Sequence, residues 1–271
     1  MVELTEAFES IFKTKLAKLL RTNRFGKSIY VFNELDSTQD YANALPITES
    51  VHGTLVIARK QNVGKGRIGR SWISPEGGLW MSIVIRPEFS VDNIIFIQFI
   101  ASLAVADAIQ QATNIRSRLK WPNDVLINGK KVCGILVDVN LEGKDKKIVM
   151  GLGLNANIES SLINNYLTAD TTKATTIKEE YGNDIDLVNL TKSIIERIEY
   201  YYNFLSSGKA LEIIELWKQN SDMFGRRAIV YDGIEKIMGE VVDIDQDGSL
   251  LMKLGDGSIK KITYYGNVTF R

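Results

Sequence analysis

The stretch whose reading decides the fold is VLINGKKVCGILVDVNLEGKDKKIVMGLGLN, residues 125–155. Its apolar runs are separated by two turn signals. Asn128-Gly129 is the dipeptide preferred in two-residue hairpins, because both central residues of such a turn take positive φ. Glu142-Gly143-Lys144 marks a second turn, so the segment is expected to be an antiparallel meander. Antiparallel neighbours argue against a doubly wound nucleotide-binding fold. The chain also has no GxGxxG opening a helix and no GxxxxGK(S/T) loop, so a phosphate here is not held by either of those geometries.

Upstream, SIYVFNEL (28–35), TLVIARK (54–60) and LWMSIVIRP (79–87) are short apolar runs bounded by turns and are expected to be strands. IIFIQFIASLAVADAI, residues 94–109, is the most apolar window. It is interrupted by Gln98 and Asp107 and falls short of the roughly 20 residues a membrane span needs, so it predicts a buried core helix. The N-terminal segment places Leu4, Phe8, Ile11, Phe12, Leu16 and Leu19 at helical spacing between charges, which predicts an amphipathic packing helix and no signal peptide.

Downstream, LVNLTKSIIERIEYYYNFL and ALEIIELWKQ predict two helices, separated by the Ser206-Ser207-Gly208 break. The texture then changes. Residues 226–270 alternate in short runs punctuated by Asp232-Gly233, Asp247-Gly248 and Asp256-Gly257, which predicts a small all-β barrel. A boundary is placed near Asn220, dividing residues 1–219 from 220–271.

The 271 residues carry 33 Lys plus Arg against 33 Asp plus Glu, so a whole-surface attraction to nucleic acid is not expected. A single cysteine, Cys133, excludes an internal disulfide framework, and with a single histidine, His52, there is no Cys/His set for structural zinc. The expected location is the cytoplasm, with no membrane association.

Against that neutral background GKGRIGRSW, residues 64–72, stands out: three glycines and three cations with no acidic residue. Glycine between the cations costs order for no structural return, so the loop is read as one that closes on an anionic ligand rather than as a solvated basic loop. In ELDSTQDYAN (34–43), Ser37 and Thr38 stand between a strand and a helix, where capping and ligand binding are compatible. In KWPNDVLINGKKVCGILVD (120–138), Pro122 bars Trp121 from helical geometry and Asn123 and Asp124 follow in a turn. Turn chemistry explains those residues fully. It does not explain Lys131, a cation in the second strand of the following hairpin.

Taken together and in order, DST, GKGRIGRSW, KWPNDV, GKKVCGILVD and GLGLNAN resemble the signature of biotin protein ligases. The resemblance implies an α+β fold: a catalytic domain like that of class II aminoacyl-tRNA synthetases, with a mixed and largely antiparallel sheet, followed by an SH3-like barrel. It implies a two-step reaction in which biotin and MgATP give biotinyl-5′-AMP and pyrophosphate, after which one lysine of a biotin carboxyl carrier domain takes the biotinyl group. Homodimerisation is a further family expectation.

By the same resemblance, Ser37, Thr38, Gln39 and Gln61 would bond the ureido head of biotin, a group whose donors and acceptors must be paired when buried. Lys65, Gly66 and Arg67 match the loop along biotin and phosphate, with Arg67 retaining the adenylate. Trp72 would lie near adenine, Gly134 would let the strand backbone meet biotin, and Lys131 would bridge the biotin carboxylate and the α-phosphate. Asn123 and Asn155 are similar to residues near nucleotide and metal. Asp124 would accept the proton of the incoming lysine.

This chain departs from the commoner family pattern at Gln39, Lys65 and Ile68, and in QNVGKG, differences expected to touch affinity and not chemistry. About 25 residues precede the first strand, too few for a winged helix, so no operator binding is expected. Lipoate ligases and octanoyltransferases share the fold but lack KWPND. An RNA-binding module is disfavoured by neutral charge, and a ligase without catalysis by the presence of Arg67 and Lys131.

Overall fold

The computed structural model describes residues 2–47, 51–87, 94–142, 144–166, 172–232, 235–263 and 267–270. The N-terminal helix α1 (Val2–Leu19) buries Phe12 and Leu16 against β1 (Ile29–Leu35) as its spacing predicts, but Ile11 and Leu19, expected on the same packing face, are exposed; the Leu4 side chain lies outside the described residues. A short helix, α2 (Thr38–Ala44), then crosses to β2 (Thr54–Gln61), which lies parallel to β1. Strand β3 (Leu79–Ile85) returns antiparallel to β2 and leads to the long apolar helix α3 (Ile94–Thr113).

The meander follows: β4 (Arg118–Lys120), β5 (Asp124–Ile127), β6 (Lys130–Glu142) and β7 (Asp145–Leu154) pair successively antiparallel, apart from the central place of β7. The seven-stranded sheet has the order β1-β2-β3-β7-β6-β5-β4, so β7 is inserted between β3 and β6. It is mixed through the single parallel β1–β2 pair, which α2 makes possible by carrying the chain back to the same end. Asn128 (φ 51°) and Gly129 (φ 74°) form the β5–β6 turn as their types predict. The three-residue strand β4 carries no periodic signal and was not foreseen.

Helix α3 covers one face of this sheet and is backed by α6 (Leu187–Ser206) and α7 (Ala210–Gln219). Between β7 and α6 lie the short helices α4 (Ser161–Asn164) and α5 (Ile177–Tyr181). Asp107, a carboxylate on an otherwise apolar helix, is explained by α6: its Oδ2 accepts from Tyr201 OH at 2.7 Å and Arg197 Nε at 2.7 Å. Helix α3 is long and apolar enough to cross a membrane by composition, but 78% of its most apolar window is buried inside the protein.

The remaining strands β8 (Arg227–Asp232), β9 (Glu235–Ile244), β10 (Leu250–Lys253), β11 (Ile259–Ile262) and β12 (Asn267–Phe270) form a separate five-stranded antiparallel sheet, in the order β11-β10-β9-β8-β12. Its apolar side (Val230, Val241, Met252) joins the main core without a break. The seam is hydrogen-bonded at the KWPND segment: Leu119 N–H donates to Asn220 O at 2.8 Å and Trp121 Nε1 to Gly248 O at 3.0 Å.

Candidate active site

The two faces of β7 differ in kind. Ile148, Met150, Leu152 and Leu154 point into the α3 core, whereas Lys147, Val149, Gly151 and Gly153 face the other way, under α2. Gly134 of β6 pairs with Gly153, and Gly151 pairs with Ser82 of β3. Those glycines leave a strip without side chains of its own, on which the Trp72 ring and the Gln39 amide lie. A Cβ on Gly134 would sit 2.8 Å from the Trp72 ring, and one on Gly153 would overlap the indole outright. Trp72 thus lies flat against backbone that any side chain would push away.

At one end of the strip stands a polar cluster. Ser37 is the N-cap of α2 and accepts from Asp40 N–H at 3.3 Å. Thr38 donates from its amide (2.8 Å) and its hydroxyl (3.0 Å) to Gln61 Oε1, and its hydroxyl is 2.9 Å from Ser82 Oγ. Gln61 Nε2 donates to Ser74 Oγ at 2.9 Å, and Ser74 Oγ to Trp72 O at 2.9 Å. Buried hydroxyls and amides are thereby lined up from α2 to the end of the basic loop, each held by a partner.

The loop itself is a small hairpin. Lys65 and Ser71 form a bridge, Gly66 N–H donates to Arg70 O at 2.7 Å, and Ile68 and Gly69 turn the chain with positive φ. Arg67 reaches inward and donates through Nη1 to Asn123 Oδ1 at 2.9 Å. Asn123 is fixed in turn, donating from Nδ2 to Ile135 O at 2.7 Å. Lys65 turns outward, its Nζ 2.5 Å from Asp40 Oδ1 with both groups about half exposed.

At the other end of the strip lies Lys131. Its Nζ is 2.6 Å from Asp124 Oδ1 and 4.9 Å from the centre of the Trp72 ring. The strand is bulged here, and Lys131 bridges to Ala174, so the 172–176 segment closes this side. Asn155 is buried, donating from Nδ2 to Thr175 O at 3.1 Å, while its Oδ1 and the Trp72 indole nitrogen have no hydrogen-bond partner among the described residues. Burial pulls the Lys120 ammonium down from the usual lysine range, with Asp124 opposing that and Lys131 adding to it. Burial likewise pushes the Cys133 thiol far up, so it is no nucleophile.

Lys131 and Lys120 therefore flank one carboxylate, Asp124, and Arg67 is tied to the neighbouring Asn123, at the end of a glycine strip whose far end is neutral and polar. Such an arrangement of groups suits a ligand with an uncharged polar head, an apolar middle and an anionic tail that meets further anions.

Comparison with known proteins agrees. A model of the biotin/lipoate A/B protein ligase family matches residues 31–155. The bifunctional ligase/repressor BirA of Bacillus subtilis is 33% identical over 247 residues, covering 90% of this chain and 74% of that protein. The chain belongs to the biotin protein ligase family. The biotin–[acetyl-CoA-carboxylase] ligase of Paracoccus denitrificans is 29% identical over 80% of this chain and 91% of its own. Among solved structures, the Aquifex aeolicus biotin protein ligase in complex with biotin and ATP superposes with a TM-score of 0.78, at 29% identity, over 90% of this chain and all of that one.

Of the residues singled out in the sequence, the fold brings Ser37, Thr38, Gln61, Gly66, Arg67, Trp72, Asn123, Asp124, Lys131, Gly134 and Asn155 to this one face. Two side chains are otherwise engaged. Lys65 pairs with Asp40 at the surface. Gln39 is buried with both ends of its amide bonded inside the protein: Nε2 donates to Asp138 Oδ2 (2.9 Å) and Val149 O (3.0 Å), and Oε1 accepts from Ser82 (3.0 Å). These bonds anchor α2 to the sheet through Gln39, the side chain expected beside the ureido head of biotin. Ser74, Ser82, Lys120 and Asp138 were missed. Ser82 and Asp138 interrupt apolar strands on the α2 face, and that interruption was the available signal.

Proposed function

We propose that this protein is a biotin–protein ligase whose two half-reactions use the two ends of the strip. In the first, a biotin carboxylate oxygen attacks the α-phosphorus of ATP; an acyl–phosphate bond forms, the bond to the β-phosphate oxygen breaks, and pyrophosphate leaves. In the second, a lysine amine attacks the acyl carbon; a C–N bond forms and AMP leaves. The single observation carrying this reading is the Lys131 ammonium between Asp124 and the Trp72 ring, at the charged end of a glycine floor.

In this reading the ureido head meets the Ser37, Thr38 and Gln61 cluster and the tail runs along Gly134 and Gly153, displacing the Trp72 ring that covers them in this structure. Lys131 draws together two anions that would otherwise repel. Arg67, on its hairpin, covers the mixed anhydride and excludes water, which would hydrolyse it. Asp124 takes the proton that the attacking amine must lose, and AMP departs with the bonding pair. Trp72 borders both substrates, and Asn123 and Asn155 lie on the nucleotide side.

No group of three His, Cys, Asp or Glu side chains able to hold a metal is found among the described residues. Asn155 Oδ1, buried without a partner among the described residues, fits a ligand brought by the substrate. Magnesium accordingly enters as MgATP, coordinated mainly by phosphate oxygens. We assign residues 1–219 to a catalytic domain of the class II synthetase type and 220–271 to an SH3-like barrel, and the acceptor to a biotin carboxyl carrier domain.

The test is pyrophosphate release with MgATP before any acceptor is supplied, using biotin, lipoate and octanoate in parallel. Biotin-dependent release is expected. Release with lipoate or octanoate instead would move the protein to the sister activities of the same family.

A further inference from the structure

Lys147 is a charged residue where the pattern of β7 asks for an apolar one. It is 2% exposed, yet it lies on the sheet face that packs against α2. Its ammonium ends among the carbonyls of the last turn of that helix and the residue beyond, donating to Ala42 O (3.4 Å), Asn43 O (2.8 Å) and Leu45 O. A buried ammonium is tolerable only with such partners, and the carbonyl end of a helix is where a cation is favoured.

On the neighbouring strand β6, two residues away in register, Asp138 serves the underside of the same helix. Its Oδ2 accepts from Gln39 Nε2 (2.9 Å) and Asn43 Nδ2 (2.8 Å), residues one turn apart, and Asn43 Oδ1 accepts from Asn140 Nδ2 at 2.8 Å. Asn140 pairs with Lys147, and Asp138 with Val149, across β6 and β7. Helix α2 has seven residues, far fewer than the roughly 12–15 an isolated helix needs, so its place is imposed from outside. Its first turn carries Ser37 and Thr38.

We propose that Lys147 and Asp138 are positioning residues for the ureido end of the biotin site: by fixing the last turn and the underside of α2 they hold Ser37 and Thr38 in register with Gln61. They thereby set the affinity for biotin and not the rate of chemistry at the opposite end. The proposal rests on the ligase reading and deepens it. The chemistry is indirect, since neither side chain reaches the glycine floor; each acts through backbone and amide groups of the helix.

The test measures biotin binding without ATP, together with biotin-dependent pyrophosphate release, for Lys147→Met, Asp138→Asn and Asn43→Ala. Small misplacements of a binding group can cost up to about a hundredfold. The Kd and KM for biotin should rise by about tenfold or more, with kcat at saturating biotin and KM for ATP changed by less than about twofold. A purely structural role would lower the unfolding temperature and leave the biotin constants of the folded fraction unchanged, and that result would overturn the proposal. If Lys147→Met does not fold, the near-isosteric Asp138→Asn and the half-exposed Asn43→Ala decide by the same criterion. Absence of biotin binding to the unsubstituted protein would overturn the ligase reading itself; normal binding by that protein with unchanged variants overturns the positioning role alone.

Discussion

The Lys131 ammonium stands 2.6 Å from the Asp124 carboxylate, both side chains mostly buried. In the proposed mechanism this pair joins the two half-reactions. While the site awaits substrate, Asp124 would neutralise the cation that later receives a carboxylate and a phosphate. Once those anions arrived they would compete for Lys131, and Asp124 would gain freedom to accept a proton.

Separate assays should resolve these roles. Lys131→Ala should lower adenylate formation by about 10²–10³-fold, the typical cost of losing one oriented electrostatic partner, measured on the folded fraction because the variant also leaves the Asp124 carboxylate without its partner. Asp124→Asn should form biotinyl-AMP at near the normal rate and transfer it to an acceptor about 10²–10⁴-fold more slowly, the usual share of a general base. Equal loss of both steps in Asp124→Asn would remove it as proton acceptor.

Arg67 donates to Asn123 from a loop that turns through Ile68 and Gly69. A charge-assisted hydrogen bond contributes about 1.5–3 kcal/mol, so Arg67→Gly should release bound biotinyl-AMP roughly ten to a hundred times faster. Bystander proteins mixed with this variant, biotin and MgATP should become biotinylated at surface lysines. Labelling confined to the acceptor would contradict the covering role of the loop.

Lys120 predicts a stability change with a definite sign. Burial holds its pKa below the usual 10.5, so the folded state disfavours the charged form. At neutral pH that penalty is present; it is relieved as pH rises through the lowered folded-state value towards 10.5, and stability rises with it. Tyr201, pushed up to about 12 by burial and Asp107, acts in the opposite direction above pH 10. Lys120→Met should therefore be more stable than the parent at pH 7, with the difference shrinking towards pH 10. Urea unfolding at the two pH values checks both signs, and a destabilised variant at pH 7 would refute the account.

Much of this was legible in the sequence, for reasons visible residue by residue. The Asn128-Gly129 turn and the alternation of Ile148, Met150, Leu152 and Leu154 fix the meander, because both depend on local backbone preference and on a period of two. The first turn of α2 and the basic loop were found because Ser37, Thr38 and the glycine-spaced cations are unusual in their local setting. What escaped depends on partners distant in sequence. The anchoring by Gln39 escaped because nothing local says that Ser82, Asp138 and Val149 will close around its amide. Lys147 looks like any polar residue of an exposed strand until α2 is laid across it. The three residues of β4 are defined only by their pairing with β5.

The glycine floor yields the most direct structural prediction. A Cβ on Gly153 overlaps the Trp72 indole, and one on Gly134 falls 2.8 Å from it, closer than real side chains approach, so either alanine must lift whatever lies on the strip. Both glycines sit in ordinary strand pairing with each other, so backbone strain does not confuse the result. Gly153→Ala and Gly134→Ala should each weaken biotin binding by at least about tenfold, equivalent to about 1.4 kcal/mol, and should alter Trp72 fluorescence. Gly255, whose added Cβ would meet nothing within 4 Å, supplies the control: Gly255→Ala should leave both readouts unchanged. Parent-like affinity in Gly153→Ala would mean that biotin does not lie on this strip, and the assignment of its tail to the Gly134–Gly153 floor would fall.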